Sequence, residues 1–148
     1  MAHLLPGKWM CLMSSVALQK PQLKAILIED MLSVRMLLRA VLTHLEIEVV
    51  GEAKTAAQGM EQFRELEPDI VFLDLGLPDT DGLDLLPTFK RERPFTCVVV
   101  LTAKNDQDTV NTASDLGADH FIAKPFTVKR IGLVVEQVMR SREASLSY

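Results

Sequence analysis

Short apolar runs recur along the chain from Lys24 onward, and an amphipathic stretch separates each run from the next. Runs rich in Ile, Val and Leu that end in polar or turn residues are typical of buried β-strands. The second run is the weakest, because its end is more polar. The pattern predicts five strands, at 25–28, 47–53, 70–73, 97–101 and 121–123.

The stretches between these runs carry apolar residues every three or four positions, the spacing that gives an α-helix one buried face. A final helix is predicted after Thr127, whose hydroxyl can cap its first turn. Gly117 is placed to cap the end of the fourth helix. The other helices are predicted over 33–45, 55–66, 83–91 and 107–116, and the buried face of the last helix is expected to consist of Ile131, Val134, Val135 and Val138.

Strands and helices alternate throughout, which predicts an α/β domain whose parallel sheet is covered by helices on both faces. Because crossovers between parallel strands are right-handed, the simplest arrangement is a doubly wound sheet of order 2-1-3-4-5 with five helices. The first and third strands are then neighbours where the winding direction reverses. Ligands of such sheets bind beyond the carboxyl ends of the strands at this point.

Length and composition limit the chain to one small, mildly acidic domain. It has 148 residues, 48% of them hydrophobic, and its 20 Asp and Glu outnumber its 16 Lys and Arg, for a net charge of −4. An acidic chain with one Trp, one Tyr and six Phe does not favour nucleic acid as a direct partner. Two cysteines cannot form a disulfide framework, so a reducing compartment is expected. No run approaches the ~20 apolar residues of a membrane span.

Residues 1–21 stand outside the alternating pattern and are predicted to form a flexible N-terminal extension. The stretch from Trp9 to Gln19 carries no charge. Several origins and roles stay open for this segment: sequence upstream of the true start, a cloning remnant, a partner-binding arm, or a helical arm that packs on the domain. A secretory signal is favoured only by a loose small-x-small motif at 15–17.

Polar residues follow four of the predicted strands at the edge where ligands are expected. Glu29 and Asp30 follow the first strand, Asp74 the third, Thr102 the fourth and Lys124 the fifth. Two carboxylates ~5 Å apart repel by roughly 3 kcal/mol at an effective dielectric constant of ~20, so the three acids need a counter-charge. Lys124 supplies one positive charge, and a hard divalent cation, Mg²⁺ or Mn²⁺, would supply the rest.

A carboxylate beside a divalent cation and a lysine suits phosphoryl transfer. The two positive groups neutralise the phosphoryl oxygens, and the carboxylate attacks phosphorus to give an aspartyl phosphate. The Thr102 hydroxyl can donate a hydrogen bond to a phosphoryl oxygen. Taken singly, each of these residues is more simply a solvated or helix-terminal group. Their joint arrangement at four strand ends favours a site.

Four separated motifs resemble the response-regulator receiver domain of two-component signalling. The resemblance covers residues 22–142, in the family's order and spacing, and leaves 143–148 as a C-terminal tail. It implies the flavodoxin-like form of the doubly wound sheet. The motifs are Ile28-Glu29-Asp30, the segment VFLDLGLPDTDG at 71–82, Val100-Leu101-Thr102-Ala103 and the segment FIAKPF at 121–126.

The resemblance implies a role for each residue of the acidic edge. Asp74 would be the phosphoacceptor. Asp30, Asp74 and the backbone carbonyl of Gly76 would bind Mg²⁺ directly, and Glu29 would bind it through water. Lys124 would pair first with Asp74 and then with the phosphoryl group.

Further residues would couple phosphorylation to a change of surface. Thr102 would move toward the phosphoryl group, which the small Ala103 would admit, and Phe121 would turn inward as a rotamer switch. This movement would change the face formed by the fourth helix, the fifth strand and the fifth helix. The peptide bond between Lys124 and Pro125 would be cis, an isomer that costs little before proline.

Two positions beside the site are predicted to set the lifetime of the phosphoaspartate. Gly76 lacks the side chain that many relatives carry there, and Lys104 lies two residues after Thr102. Equal hydrolysis rates for Gly76→Asn, Lys104→Ala and the parent would refute this prediction. Met31 also departs from the family, since a third polar residue is common at its position, and Phe121 lacks the hydroxyl of a tyrosine switch.

The expected function is phosphorelay signal transduction in the cytoplasm, away from any membrane. A histidine kinase or a histidine phosphotransfer protein would donate the phosphoryl group, and a downstream protein would read the altered face. The chain would catalyse only its own phosphorylation and dephosphorylation, and it leaves no room for an output domain if it is complete. The alternative is a receiver-like interaction module that works without phosphorylation.

Three other classes fit the residues less well. A haloacid-dehalogenase-like phosphatase carries the motif Asp-x-Asp at its nucleophile. In this sequence Gly76 stands where the second Asp of that motif would be. The phosphate of a flavodoxin-like cofactor would meet Glu29 and Asp30, which repel it. A histidine phosphotransfer protein is a helical bundle, and the five strands exclude it although His44 lies on a predicted helix.

Overall fold

Five parallel strands form the centre of the domain. They are β1 (Lys24–Ile28), β2 (Glu48–Ala53), β3 (Ile70–Asp74), β4 (Cys97–Thr102) and β5 (His120–Ala123). The computed structural model describes residues 22–103 and 106–146, and in these ranges the strands make one sheet of order β2-β1-β3-β4-β5. The predicted fold class and strand order are therefore confirmed.

Five α-helices in the described ranges cover the sheet. They are α1 (Leu32–His44), α2 (Ala56–Leu66), α3 (Leu86–Glu92), α4 (Gln107–Asp115) and α5 (Val128–Leu146), with a 3₁₀ turn (Gly82–Leu85) before α3. The sequence predicted one continuous helix over 83–91. The first turn is 3₁₀ instead, because Asp81 accepts the amide of Leu83 and starts the turn early, and Pro87 then opens the α-helix proper.

Side chains at the predicted helix ends cap them. The hydroxyl of Thr55 accepts the amide of Gln58 at 3.1 Å, and Thr127 accepts Arg130 in the same way. The end of α4 lies one residue earlier than predicted: Leu116 occupies the cap, and Gly117 follows it at φ +108°, a conformation that favours glycine. The last helix continues to Leu146, past the predicted domain boundary at 142.

Two apolar layers enclose the sheet, because alternate strand residues point to opposite faces. Leu27, Phe72 and Val99 contribute to the layer under α1 and α5, where the expected apolar face of α5 is buried as predicted. Residues of the same strands shifted by one position, such as Ile28 and Leu73, contribute to the layer under α2, α3 and α4. With both faces covered, the polar residues that follow the strands meet at one edge.

Some predictions concern parts of the chain outside the described residues. These are the flexible extension at 1–21, the modulating role of Lys104 and the end of the C-terminal tail at 147–148.

Candidate functional site

Three carboxylates converge beyond the carboxyl ends of β1 and β3. Asp74 is the last residue of β3 and is 5% exposed, and Glu29, directly after β1, is fully buried. Asp30 is exposed beside them. One oxygen from each of the three carboxylates lies within 4.8 Å of the others. The structure thus brings together the acids that the sequence placed at neighbouring strand ends.

Lys124 provides the positive charge that this acidic cluster needs. Its Nζ lies 2.8 Å from Oε2 of Glu29 and 3.4 Å from Oδ1 of Asp74. The Lys124 amide donates to the carbonyl of Thr102 at 2.8 Å, which fixes the start of the β5–α5 loop beside the end of β4. The next peptide bond, to Pro125, is cis.

Burial opposes the charge of Glu29. Loss of hydration raises the pKa of this carboxyl above its ordinary value of 4.5, and the negative charge of Asp74 raises it further. The ammonium of Lys124 and the amide of Met31, which donates to Oε1 at 3.2 Å, act in the opposite direction. The buried edge therefore has an excess of negative charge that favours a further cation.

The carboxylate of Asp74 is oriented from one side. Oδ1 accepts the backbone amide of Gly76 at 3.0 Å and faces Lys124. Both of these contacts use Oδ1. A β-carbon added at Gly76 would meet only Asp74 Oδ1, at 3.8 Å, an ordinary contact. The proposed role of Gly76 in phosphoaspartate lifetime stays a prediction.

Arg35 of α1 is a residue that the sequence analysis missed. Its guanidinium is buried and donates to the carbonyls of Glu29 and Asp30, at 2.8 and 3.1 Å, and its Nε donates to Glu52 of β2. One side chain thus fastens the backbone that carries two of the three acids. The signal was available, because Arg35 stands three residues before Leu38 on the apolar face of its helix, where a charged residue needs a buried partner.

Gly82 also has a role that was not predicted, because the sequence indicated only that it lies in a loop. A β-carbon at Gly82 would lie 2.4 Å from the carbonyl oxygen of Asp74 and 2.8 Å from Cα of Leu75. The amide of Gly82 also donates to the carbonyl of Leu75 at 2.9 Å. The loop after β3 can close against the backbone of Asp74 only because residue 82 has no side chain.

Asp79 anchors the same loop to α2. Its carboxylate accepts the amides of Ala56 and Ala57 at 2.8 and 3.0 Å, at the N-terminus of the helix. These hydrogen bonds lower the pKa of Asp79. The loop that follows Asp74 is therefore held at Asp79 by α2 and at Gly82 by the carbonyl of Leu75.

The residues assigned to a switch lie on the β4 and β5 side of the site. Thr102 is 4% exposed at the end of β4, opposite Ala123, and Ala103 is exposed next to it. Phe121 is half-buried against the layer under α4, and its carbonyl accepts Nη2 of Arg130 at 3.2 Å. Thr102 and Phe121 are thus placed on neighbouring strands, one at the site and one beneath the adjacent surface.

The family is decided by a sequence model described as the response regulator receiver domain, which matches residues 25–136. The chain belongs to the response regulator receiver family. The match includes the acidic pair, Asp74, Thr102 and Lys124.

Relatives of this receiver domain include both short and long proteins. The chemotaxis protein CheY of Thermotoga maritima is 31% identical over 117 residues, which cover 79% of this chain and 98% of that protein. The transcriptional regulatory protein KdpE of Staphylococcus aureus is 33% identical over 125 residues, which cover 82% of this chain and 53% of KdpE.

Solved structures show the same fold. A CheY-like receiver domain protein from Methanospirillum hungatei superimposes with a TM-score of 0.78 at 20% identity, covering 84% of this chain and 98% of that one. Among the described residues, no helix is both long and apolar enough to cross a membrane.

The donor set of the receiver's acidic cluster fits a hard divalent cation. Glu29, Asp30 and Asp74 offer only carboxylate oxygens, the ligands that Mg²⁺ and Mn²⁺ prefer. Asp30 is exposed, which leaves room for the waters that Mg²⁺ retains.

Proposed function

We propose that this receiver domain accepts a phosphoryl group on Asp74 in a Mg²⁺- or Mn²⁺-dependent reaction and signals by a change of surface. The donor is the phosphohistidine of a histidine kinase or of a histidine phosphotransfer protein, and the setting is the cytoplasm. The observation that supports this most strongly is the position of Asp74, a buried carboxylate between a lysine and two further acids.

The reaction is an in-line displacement at phosphorus. A carboxylate oxygen of Asp74 attacks, the bond from phosphorus to the histidine nitrogen breaks, and the imidazole leaves with the electron pair of that bond. A divalent cation held by Asp30, Asp74 and the carbonyl of Gly76, with Glu29 binding through water, would neutralise charge on the phosphoryl oxygens. Lys124 provides a second positive charge on the other side of the carboxylate, 3.4 Å from Oδ1.

The same contacts suggest how the site reports its state. A phosphoryl group on Asp74 attracts Lys124 away from Glu29, and the Thr102 hydroxyl donates to a phosphoryl oxygen. The amide of Lys124 is bonded to the carbonyl of Thr102, so the ends of β4 and β5 respond together. Phe121 then turns inward, and the face of α4, β5 and α5 changes for a downstream protein that binds it.

Intact mass after incubation with acetyl phosphate tests the proposal. The expected result is one added phosphoryl group with Mg²⁺, none with a chelator, and none in the Asp74→Asn variant. Asp115→Asn, which removes an exposed acid at the end of α4, is the matched control and should still be phosphorylated.

Failure of the folded parent protein to gain mass, while it binds Mg²⁺, would contradict the proposal. It would favour the alternative of an interaction module that works without phosphorylation. In either case we expect no turnover of an external phosphoester, since the only reactions proposed are the domain's own phosphorylation and dephosphorylation.

A further inference from the structure

A large groove lies at the edge of the sheet opposite the acidic cluster. Its walls come from the residues before β1, β2 and β4, the start of β5 and the C-terminal part of α5, and it has a volume of about 1200 Å³. Clefts for small molecules usually measure ~300–1,000 Å³ and enclose most of the ligand. This groove is larger and open to solvent, which suits a segment of polypeptide.

Apolar side chains remain exposed along the groove. Phe95, in the loop before β4, is 89% exposed, and Met139 of α5 is 40% exposed. Leu23 and Cys97 are only half-buried beside them. A phenyl ring so exposed within an apolar groove marks a surface that gains stability when it is covered.

Four of the charged groups that line the groove pair with one another. Lys90 contacts Asp119 at 2.6 Å, and Arg142 contacts Asp69 at 2.9 Å. Arg142 also donates to the carbonyl of Phe95 at 3.1 Å. Since these four charges already have partners, an uncharged occupant costs less desolvation here than a charged one.

The chain itself supplies such an occupant. The described part begins at Gln22, and Gln22 lines the groove. The 21 residues before it contain the uncharged stretch from Trp9 to Gln19. At ~3.3–3.6 Å per residue, even Trp9 is within reach of every wall of the groove.

We infer that the uncharged segment from Trp9 to Gln19 docks into this groove and covers Phe95 in the same molecule. Of the roles open to residues 1–21, this one makes the segment an arm that packs on the domain. The groove lies at the amino ends of the strands, away from Asp74. The inference about the arm therefore does not depend on the proposed phosphorylation of Asp74.

Tryptophan fluorescence of the full chain tests the docking, because Trp9 is the single tryptophan. The Phe95→Asp variant should shift the emission of Trp9 to longer wavelength and increase its quenching by acrylamide. Met36→Asp is the matched control, since Met36 is also an exposed apolar residue (62%) but lies on α1. Unchanged emission and quenching in Phe95→Asp would overturn the inference.

Disulfide formation distinguishes this occupant from others. Burial raises the pKa of the Cys97 thiol to about 12, so Cys97 reacts slowly and is replaced by serine. In that background, Pro94→Cys places a thiol on an exposed part of the groove, and Asp108→Cys places one at the start of α4 near the opposite edge. Mild oxidation should join Cys11 to position 94 within one chain, and much less to position 108.

Two results of the oxidation would contradict the inference. A covalent dimer through position 94 would mean that a second copy supplies the segment. Equal cross-linking at positions 94 and 108 would mean that the segment does not bind preferentially in the groove.

Discussion

Glu29 combines complete burial with a negative charge, and this conflict can be measured. Its folded-state pKa lies above the ordinary value of 4.5 because burial removes hydration. Protonated Glu29 therefore contributes stability that is fully present below pH 4.5 and is lost as the pH rises through the folded-state pKa. The Glu29→Gln variant stays neutral and keeps an acceptor for Lys124.

We expect the stability of Glu29→Gln, relative to the parent, to increase as the pH rises above about 4.5 in metal-free buffer. The two proteins share every other carboxyl group, so the difference reports on residue 29 and its electrostatic coupling to Asp74. Urea unfolding from pH 4 to 8 measures it. A difference that is constant with pH, or that falls, would show that Lys124 fully compensates the burial.

Asp30 should contribute to cation binding without contributing to folding. Mg²⁺ at ten times its Kd stabilises a folded protein by about 1.4 kcal/mol. This gain should be seen in the parent and in Asp115→Asn, and it should be much smaller in Asp30→Asn. Melting temperatures with and without Mg²⁺ measure it, and an equal gain in all three proteins would exclude Asp30 as a ligand.

The link between α1 and the site depends on Arg35. Arg35→Gln removes the donors to the carbonyls of Glu29 and Asp30 and breaks a half-buried ion pair with Glu52. Because a buried acceptor left without its donor costs about 1–3 kcal/mol, we expect a loss of stability of this size. Arg39→Gln is the matched control, because Arg39 binds the same Glu52 but is half exposed. It should cost no more than about 1 kcal/mol.

Denaturant unfolding of the two arginine variants checks this prediction, together with their Mg²⁺ affinity. Arg35→Gln should also bind Mg²⁺ more weakly, since the backbone of Glu29 and Asp30 is no longer fixed. Equal losses of stability in the two variants would argue against a special role for Arg35.

The loop between β3 and α3 depends on Gly82. A methyl group there meets the carbonyl of Asp74 and Cα of Leu75, both of them backbone atoms. Gly82→Ala should therefore cost about 1–3 kcal/mol, as overpacking usually does, and slow phosphorylation by displacing Asp74. Gly132→Ala in α5 meets nothing within 4 Å, and it should stabilise the protein by about 0.5–1 kcal/mol. Thermal unfolding and the rate of mass gain measure both effects, and a Gly82→Ala variant as stable as the parent would be inconsistent with this packing.

The elements differ in how far the sequence predicted them. The strands were predicted closely, because a buried parallel strand is apolar throughout and ends where the chain leaves the sheet, as Ile70–Asp74 does. The helix over 83–91 was only partly right, because the 3₁₀ turn depends on a hydrogen bond of Asp81 that has no periodic signal.

The acidic cluster was predictable for a related reason. Once the strand order is known, the residues directly after the neighbouring strands β1 and β3 must lie side by side, which brings Glu29 and Asp74 together. Lys124 follows β5, and its long side chain reaches past the end of β4 to both acids. The close approach of Gly82 to Asp74 depends on the path of the loop, which no local pattern reveals. The groove beside Phe95 could not be predicted from the sequence pattern either, because its walls come from segments that are distant in the sequence.

The whole domain has two edges with different properties. The carboxyl ends of the strands carry the acids, Lys124 and Thr102, and the amino ends carry an open apolar groove. Membership of the response regulator receiver family agrees with chemistry at the first edge. The central claim is that Asp74 is the residue that receives the phosphoryl group.

Chemical mapping of the phosphoryl group tests this claim most directly. Borohydride reduces an acyl phosphate to an alcohol and releases phosphate, so a phosphorylated aspartate becomes homoserine. After incubation with acetyl phosphate and Mg²⁺, reduction and peptide sequencing by mass spectrometry should find homoserine at position 74, and only when the phosphodonor is present. Reduction at Asp30 or Glu29 instead, or at no carboxyl group of a protein that has gained mass, would contradict the account.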